Sequence, residues 1–89
     1  MTSPVQLDDK DRRAVRNRLS RARGQLDAVI RQLEENRDCL DVLPQMIAAS
    51  KAVDRATYAM VLSAIESCAN EPGDHPDITE LKKLFLSLA

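Results

Sequence analysis

Eighty-nine residues make one small domain, and with 44% apolar but only 2% aromatic residues the core must come from Leu, Val, Ile, Ala and Met, which suits helices. A formal net charge of -1 excludes any argument from total charge to a polyanionic or polycationic partner. No run approaches the ~20 apolar residues of a membrane span, so no membrane partner is expected, and a chain this short is expected to gain stability by oligomerising.

The chain begins "MTSPVQLDDKD", polar and acidic with no secretory h-region, so a cytoplasmic location, where thiols stay reduced, is expected. Residues 1–8 read as a flexible tail of a single domain spanning 1–89. From Asp9 to Asn36 apolar residues step by three or four: Val15, Leu19, Ala22, Leu26, Val29 or Ile30, Leu33. That is an amphipathic helix with a heptad-like seam, begun by Asp8, Asp9 and Asp11 where carboxylates favour the dipole. Gly24 lies mid-helix at a cost of ~1 kcal/mol relative to Ala, and close helix packing is the expected reason.

"ENRDC" turns the chain. Asp38 is placed to cap a second helix over Cys39–Ala69, with Asp41 in its first turn. Pro44 lies deep enough to predict an irregular start. Met46, Ala49, Val53, Ala56 and Met60 form one stripe, widened by Ile47, Ala48, Ala52, Ala59, Leu62 and Ile65. "NEPGDHPD" is a turn. Asp77 and Glu80 then read as a capping box for a short third helix carrying Ile78, Leu81, Leu84, Phe85 and Leu88. The fold class is all-α, a three-helix protomer.

Two features carry chemistry. The first is the pair Cys39 and Cys68, at opposite ends of the second helix. At 1.5 Å per residue they stand ~45 Å apart, whereas a disulfide needs Cα atoms within ~7 Å. Two copies packed antiparallel about a two-fold axis near Val53 and Asp54 would bring Cys39 of one to Cys68 of the other, twice. Cys39 starts a helix beside Arg37 and reads as the attacking thiolate, and Cys68, near a C-terminus beside Glu66, as the resolving one. The plainer alternative is two inert buried thiols. Two thiolates could instead hold Cu(I). Met60 reads as core, and the lone His75 as a solvated loop residue.

The second feature is "RRAVRNRLSRAR". Arg12, Arg16 and Arg23 fall within ~40° of one another, with Arg13 to their side and Arg18 and Arg21 on the other flank of the seam. Lys51 and Arg55 on the second helix extend the basic surface. A solvated face is the plain reading, but guanidinium forks match phosphate oxygens, so contact with double-stranded DNA through phosphates and shape is expected. No phosphate-cradling loop, carboxylate pair or Cys-His dyad is present, so no enzyme and no cofactor are expected.

"RLSRARGQLDAVIRQLEENRDCLDVLPQMIAA" with "ESCAN" resembles the signature of the CsoR (copper-sensitive operon repressor) family over nearly the whole chain. The resemblance implies an antiparallel four-helix-bundle dimer assembling as a dimer of dimers. Arg18, Arg21 and Lys51 match DNA-binding positions, and Glu80 an outer-shell residue of the copper branch. In that branch Cys39 and Cys68 match Cu(I) ligands, while the histidine ligand's position is held by Ala64. Two cysteines without that histidine are similar to the persulfide-sensing CstR branch, in which the matching cysteines become linked by di-, tri- or tetrasulfides. The expected function is therefore a homotetrameric repressor that releases operator DNA when low-molecular-weight persulfides or polysulfides crosslink Cys39 to Cys68. The alternatives are a Cu(I)-responsive repressor using the two thiolates, a sulfane-sulfur carrier, and a plain helical oligomer.

Overall fold

The computed structural model describes residues 4–70 and 77–88. Three helices follow in chain order, α1 (Asp9–Glu34), α2 (Cys39–Asn70) and α3 (Asp77–Leu86), and the described residues contain no strand. The "NEPGDHPD" turn and His75 lie largely outside the described residues.

Helix α1 opens as its acidic start predicts. Asp8 is the N-cap, and its carboxylate accepts the Asp11 N–H at 2.8 Å. The helix ends at Glu34, two residues before the expected Asn36. There the chain closes a left-handed cap. Asn36 takes φ 55°, its N–H donates to the Leu33 carbonyl at 3.1 Å, and the Arg37 N–H donates to the Gln32 carbonyl at 3.0 Å. These bonds satisfy carbonyls that the last turn would otherwise leave bare, and Asn tolerates this φ better than most residues.

Asp38 caps α2 as expected, its side chain accepting the Leu40 N–H at 2.9 Å. The helix runs unbroken through Pro44, with the Asp41 and Val42 N–H groups both donating to the Asp38 carbonyl. Helix α3 starts at Asp77 itself, so Asp77 is its first helical residue rather than its cap.

Helices α1 and α2 form an antiparallel hairpin. The residues it buries step by seven on both partners: Val15, Ala22 and Val29 on α1, and Val42, Ala49 and Ala56 on α2, with Ala64 and Cys68 continuing the line. Four of these eight are alanine, so the backbones pack through small side chains. The remaining members of the predicted seam are bare. Leu19 is 43% exposed, Leu26 40%, Ile30 53% and Leu33 58%, and on α2 Met46, Ile47 and Met60 are each more than half exposed. Helix α3 lies on the distal half of α2, where Phe85 meets Tyr58 with ring centroids 4.5 Å apart.

The protomer is a rod of 55 × 25 × 18 Å with a radius of gyration of 16.9 Å, against roughly 12 Å for a compact chain of this length. Its accessible surface is 7051 Å², whereas a compact monomer of this mass exposes roughly 5,200 Å². The surplus exceeds what one partner contributes to a standard protein–protein interface, roughly 800 Å².

Close packing does not account for Gly24 within the protomer. A Cβ added there meets nothing within 4 Å.

Candidate functional site

Cys39 is the first residue of α2 and is exposed, and Cys68 lies in its last turn and is buried, at 4% exposure. Along one continuous helix the two stand ~44 Å apart. The intervening residues rotate the chain through almost whole turns, so the two fall within ~20° of the same helix face. Arg37, read from sequence as a neighbour favouring a thiolate at Cys39, instead gives its guanidinium to Glu35 at 3.0 Å.

Ala64, one turn before Cys68 on the same face, is 7% exposed and offers no ligand atom. Beside it lies a cleft of about 250 Å³ lined by Val5, Gln6, Leu7, Arg12, Met60 and Ala64. The segment before α1 therefore lies against the Cys68 end of α2, and the Ser67 hydroxyl fastens it by donating to the Gln6 carbonyl at 3.1 Å. Sequence periodicity gave no sign of this contact, because residues 4–8 carry no regular pattern. Among the described residues no group of three or more His, Cys, Asp or Glu side chains within one protomer could hold a metal ion. Glu80 is exposed in the first turn of α3.

All eight predicted basic residues are exposed, but they are not equivalent. Arg12 pairs with Asp9 at 2.9 Å, and Arg13 Nε donates to the Asp9 carbonyl at 3.3 Å. Arg16 reaches the Asn17 side chain at 3.4 Å. Arg12, Arg16 and Arg23 edge an open groove of about 380 Å³ whose floor includes Leu7, Val15, Leu19 and Met60. Arg18 and Arg21 stand on the opposite flank of the seam, outside that groove. The bare apolar row of α1 thus lies between its buried row and the Arg12, Arg16 and Arg23 flank.

No described helix is long and apolar enough to cross a membrane.

Comparison with known proteins agrees with these features. The profile of metal-sensitive transcriptional repressors matches residues 11–87. The copper-sensing transcriptional repressor CsoR of Mycobacterium ulcerans (strain Agy99) is 43% identical over 63 residues, 71% of this chain and 53% of that protein. Its namesakes in Mycobacterium tuberculosis (strain ATCC 25618 / H37Rv) and Mycobacterium bovis (strain BCG / Pasteur 1173P2) are 39% identical over 57 residues, 64% of this chain and 48% of theirs. The chain spans about half the length of the curated relatives it matches. No solved structure matches. With the profile covering all but the ends of the chain, and with relatives at this identity, the chain belongs to the CsoR family of metal-sensitive transcriptional repressors.

Proposed function

We propose that this chain is an operator-binding repressor whose inducer acts on Cys39 of one subunit and Cys68 of another. One domain carries both tasks: α1 supplies the basic surface and α2 the thiols. The observation that carries the reading is the placement of the two cysteines on one face at opposite ends of one rigid helix. The exposed apolar face asks for a second copy in any case, and an antiparallel copy about an axis near Val53 and Asp54 pairs each Cys39 with a partner's Cys68. Four helices in such a dimer, and two dimers in a tetramer, give the DNA a wide basic face with Arg12, Arg13, Arg16, Arg18, Arg21, Arg23, Lys51 and Arg55.

The inducer we favour is a reactive sulfur species, a low-molecular-weight persulfide or polysulfide. Cys39 attacks the terminal sulfur of a donor persulfide, forming a Cys39 persulfide and releasing the donor as a thiol. Cys68 of the neighbouring subunit then attacks the Cys39 sulfur, forming a disulfide and expelling hydrogen sulfide. The crosslink stabilises one subunit arrangement over another, and DNA is released if the reduced arrangement is the one that fits the duplex. Ala64 supports this inducer, because the position one turn before Cys68 on the same face carries no ligand atom.

A second reading is favoured by the mycobacterial relatives, whose names state copper sensing. Two thiolates shared between subunits suit Cu(I), a soft ion that accepts two ligands. The test treats the DNA-bound protein anaerobically with tetrasulfide or with Cu(I), then follows DNA affinity and intact mass. Crosslinked subunits and lost DNA affinity with tetrasulfide alone support sulfur sensing. Tight stoichiometric Cu(I) binding with DNA release, and no response to tetrasulfide, selects copper. Loss of DNA affinity with neither reagent refutes the thiol pair as the sensor.

A further inference from the structure

The turn that presents Cys39 is fastened to α1 by one residue at two points. The backbone carbonyl of Gln32 accepts the Arg37 N–H at 3.0 Å, which closes the turn. The Gln32 side chain crosses to α2, where Nε2 donates to Gln45 Oε1 at 2.8 Å. Gln45 Nε2 in turn donates to the backbone carbonyl of Asp41 at 3.0 Å, two residues after Cys39. A continuous hydrogen-bonded route therefore joins α1 to the first turn of α2. Pro44 explains why that turn benefits from support. It has no N–H to give the Leu40 carbonyl, so one rung of the opening ladder is missing.

Gln32 is also a costly residue for its position. Its Oε1 is buried and has no hydrogen-bond partner in the protomer, whereas an apolar side chain there would leave no buried acceptor unpaired. The bond lies at the exposed edge of the hairpin beside its apolar buried rows, and a polar pair at one point of a helix pair fixes register at the expense of stability.

We propose that Gln32 and Gln45 are positioning residues that hold the Cys39 turn against α1, aiming the thiol at its mate on a second copy. The aim of the thiol rests on the inter-subunit pairing proposed above, while the brace itself does not. Full-length Gln32→Leu, Gln45→Leu and Gln45→Glu are compared with the unsubstituted protein. Diamide forces disulfide formation without any physiological inducer: two thiols lose two electrons and two protons to its N=N bond. Iodoacetamide reads the intrinsic reactivity of Cys39.

Both leucine variants are expected to keep the Cys39 alkylation rate, because the thiol is already exposed, yet to form inter-subunit disulfide at least threefold more slowly. Gln45→Glu keeps an acceptor for Gln32 Nε2 but loses the donor to the Asp41 carbonyl, so it is expected to recover only part of that rate. A purely structural role would slow neither reaction selectively and would show no rescue. Hydrogen exchange at the Asp41 and Val42 amides is read in parallel and should quicken in both leucine variants. Unchanged exchange there overturns the brace. An unsubstituted protein that forms no inter-subunit disulfide overturns the thiol pairing instead, and the exchange result still decides the brace. Should Gln32→Leu fail to fold, Gln45→Leu, at an exposed position, decides the same question.

Discussion

Replacing Ile30 with Ala separates a bare face that awaits a partner from one that is merely solvated. Ile30 is 53% exposed in the protomer, so a second copy covering it would bury about half of that side chain. Full burial of an aliphatic side chain contributes about 1.5–3 kcal/mol, and the missing half about 1 kcal/mol. A two-fold interface uses the residue twice, so the dimer should lose about 2 kcal/mol, which is roughly a 30-fold rise in its dissociation constant. Ala is the better helix former, so α1 itself is not weakened. Sedimentation velocity over a dilution series measures the shift. Val15→Ala provides the contrast, because Val15 is 6% exposed and belongs to the hairpin seam. It should lower the melting temperature without acting first on association. An Ile30→Ala protein that associates as tightly as the original would refute the claim that this face is an interface.

Cys68→Ala should leave Cys39 open to modification by tetrasulfide but abolish covalent dimers on non-reducing gels, and loss of modification at Cys39 as well would contradict the assigned order of attack. Arg18→Ala and Arg21→Ala should each weaken DNA binding across all sequences and reduce the slope of log affinity against log salt by about 1, since on the proposed DNA surface each would remove one phosphate contact; an unchanged slope removes that residue from the DNA surface. Gly24→Ala should stabilise the protein by up to about 1 kcal/mol, because the added Cβ meets nothing within 4 Å, and a fall in melting temperature would reveal a close approach by a second copy. Ser67→Ala removes the hydroxyl that holds Gln6 against α2, so it should speed alkylation of the buried Cys68 severalfold while leaving the exposed Cys39 unaffected; equal rates at Cys68 would mean that the segment before α1 does not control access.

Periodicity placed all three helices in the sequence to within a residue or two, and capping chemistry placed the start of α2. Asp8 and Asp38 cap the helices they precede because a short carboxylate before a helix has few other tasks. The end of α1 was harder. Asn36 continues the apolar pattern's polar phase, and nothing in periodicity marks it as the residue that adopts a positive φ. The apolar seam was legible as a face but not as two faces. A helix pattern reports which residues avoid water and not how many neighbours share the task, so Val15 and Leu19 look alike in sequence although one is buried and the other bare. The Gln32–Gln45 bond was invisible for a related reason, since two glutamines become a pair only through the register of the hairpin. The distance between the cysteines was readable directly, because helix rise is constant. The burial of Cys68 was not, because burial depends on tertiary packing that helix periodicity does not report.

The distribution of side-chain size gives the proposed sensing its mechanical basis. A self-sufficient hairpin would put its large residues between the helices, but this one places Ala22, Ala49 and Ala56 there and leaves Leu19, Leu26, Ile30, Met46, Ile47 and Met60 outside. On the proposed assembly the larger core therefore lies between subunits, and any change in how two subunits meet is a change in the main core rather than at a peripheral contact. Packed cores shift between discrete arrangements instead of deforming smoothly. Helix α1 would feel such a shift directly, because its bare apolar row lies beside the flank that carries Arg12, Arg16 and Arg23. A bond between Cys39 and a partner's Cys68 would bias the arrangement of that core from both ends at once. The arginines would then move with the helix that bears them, with no separate relay needed between the thiols and the DNA surface.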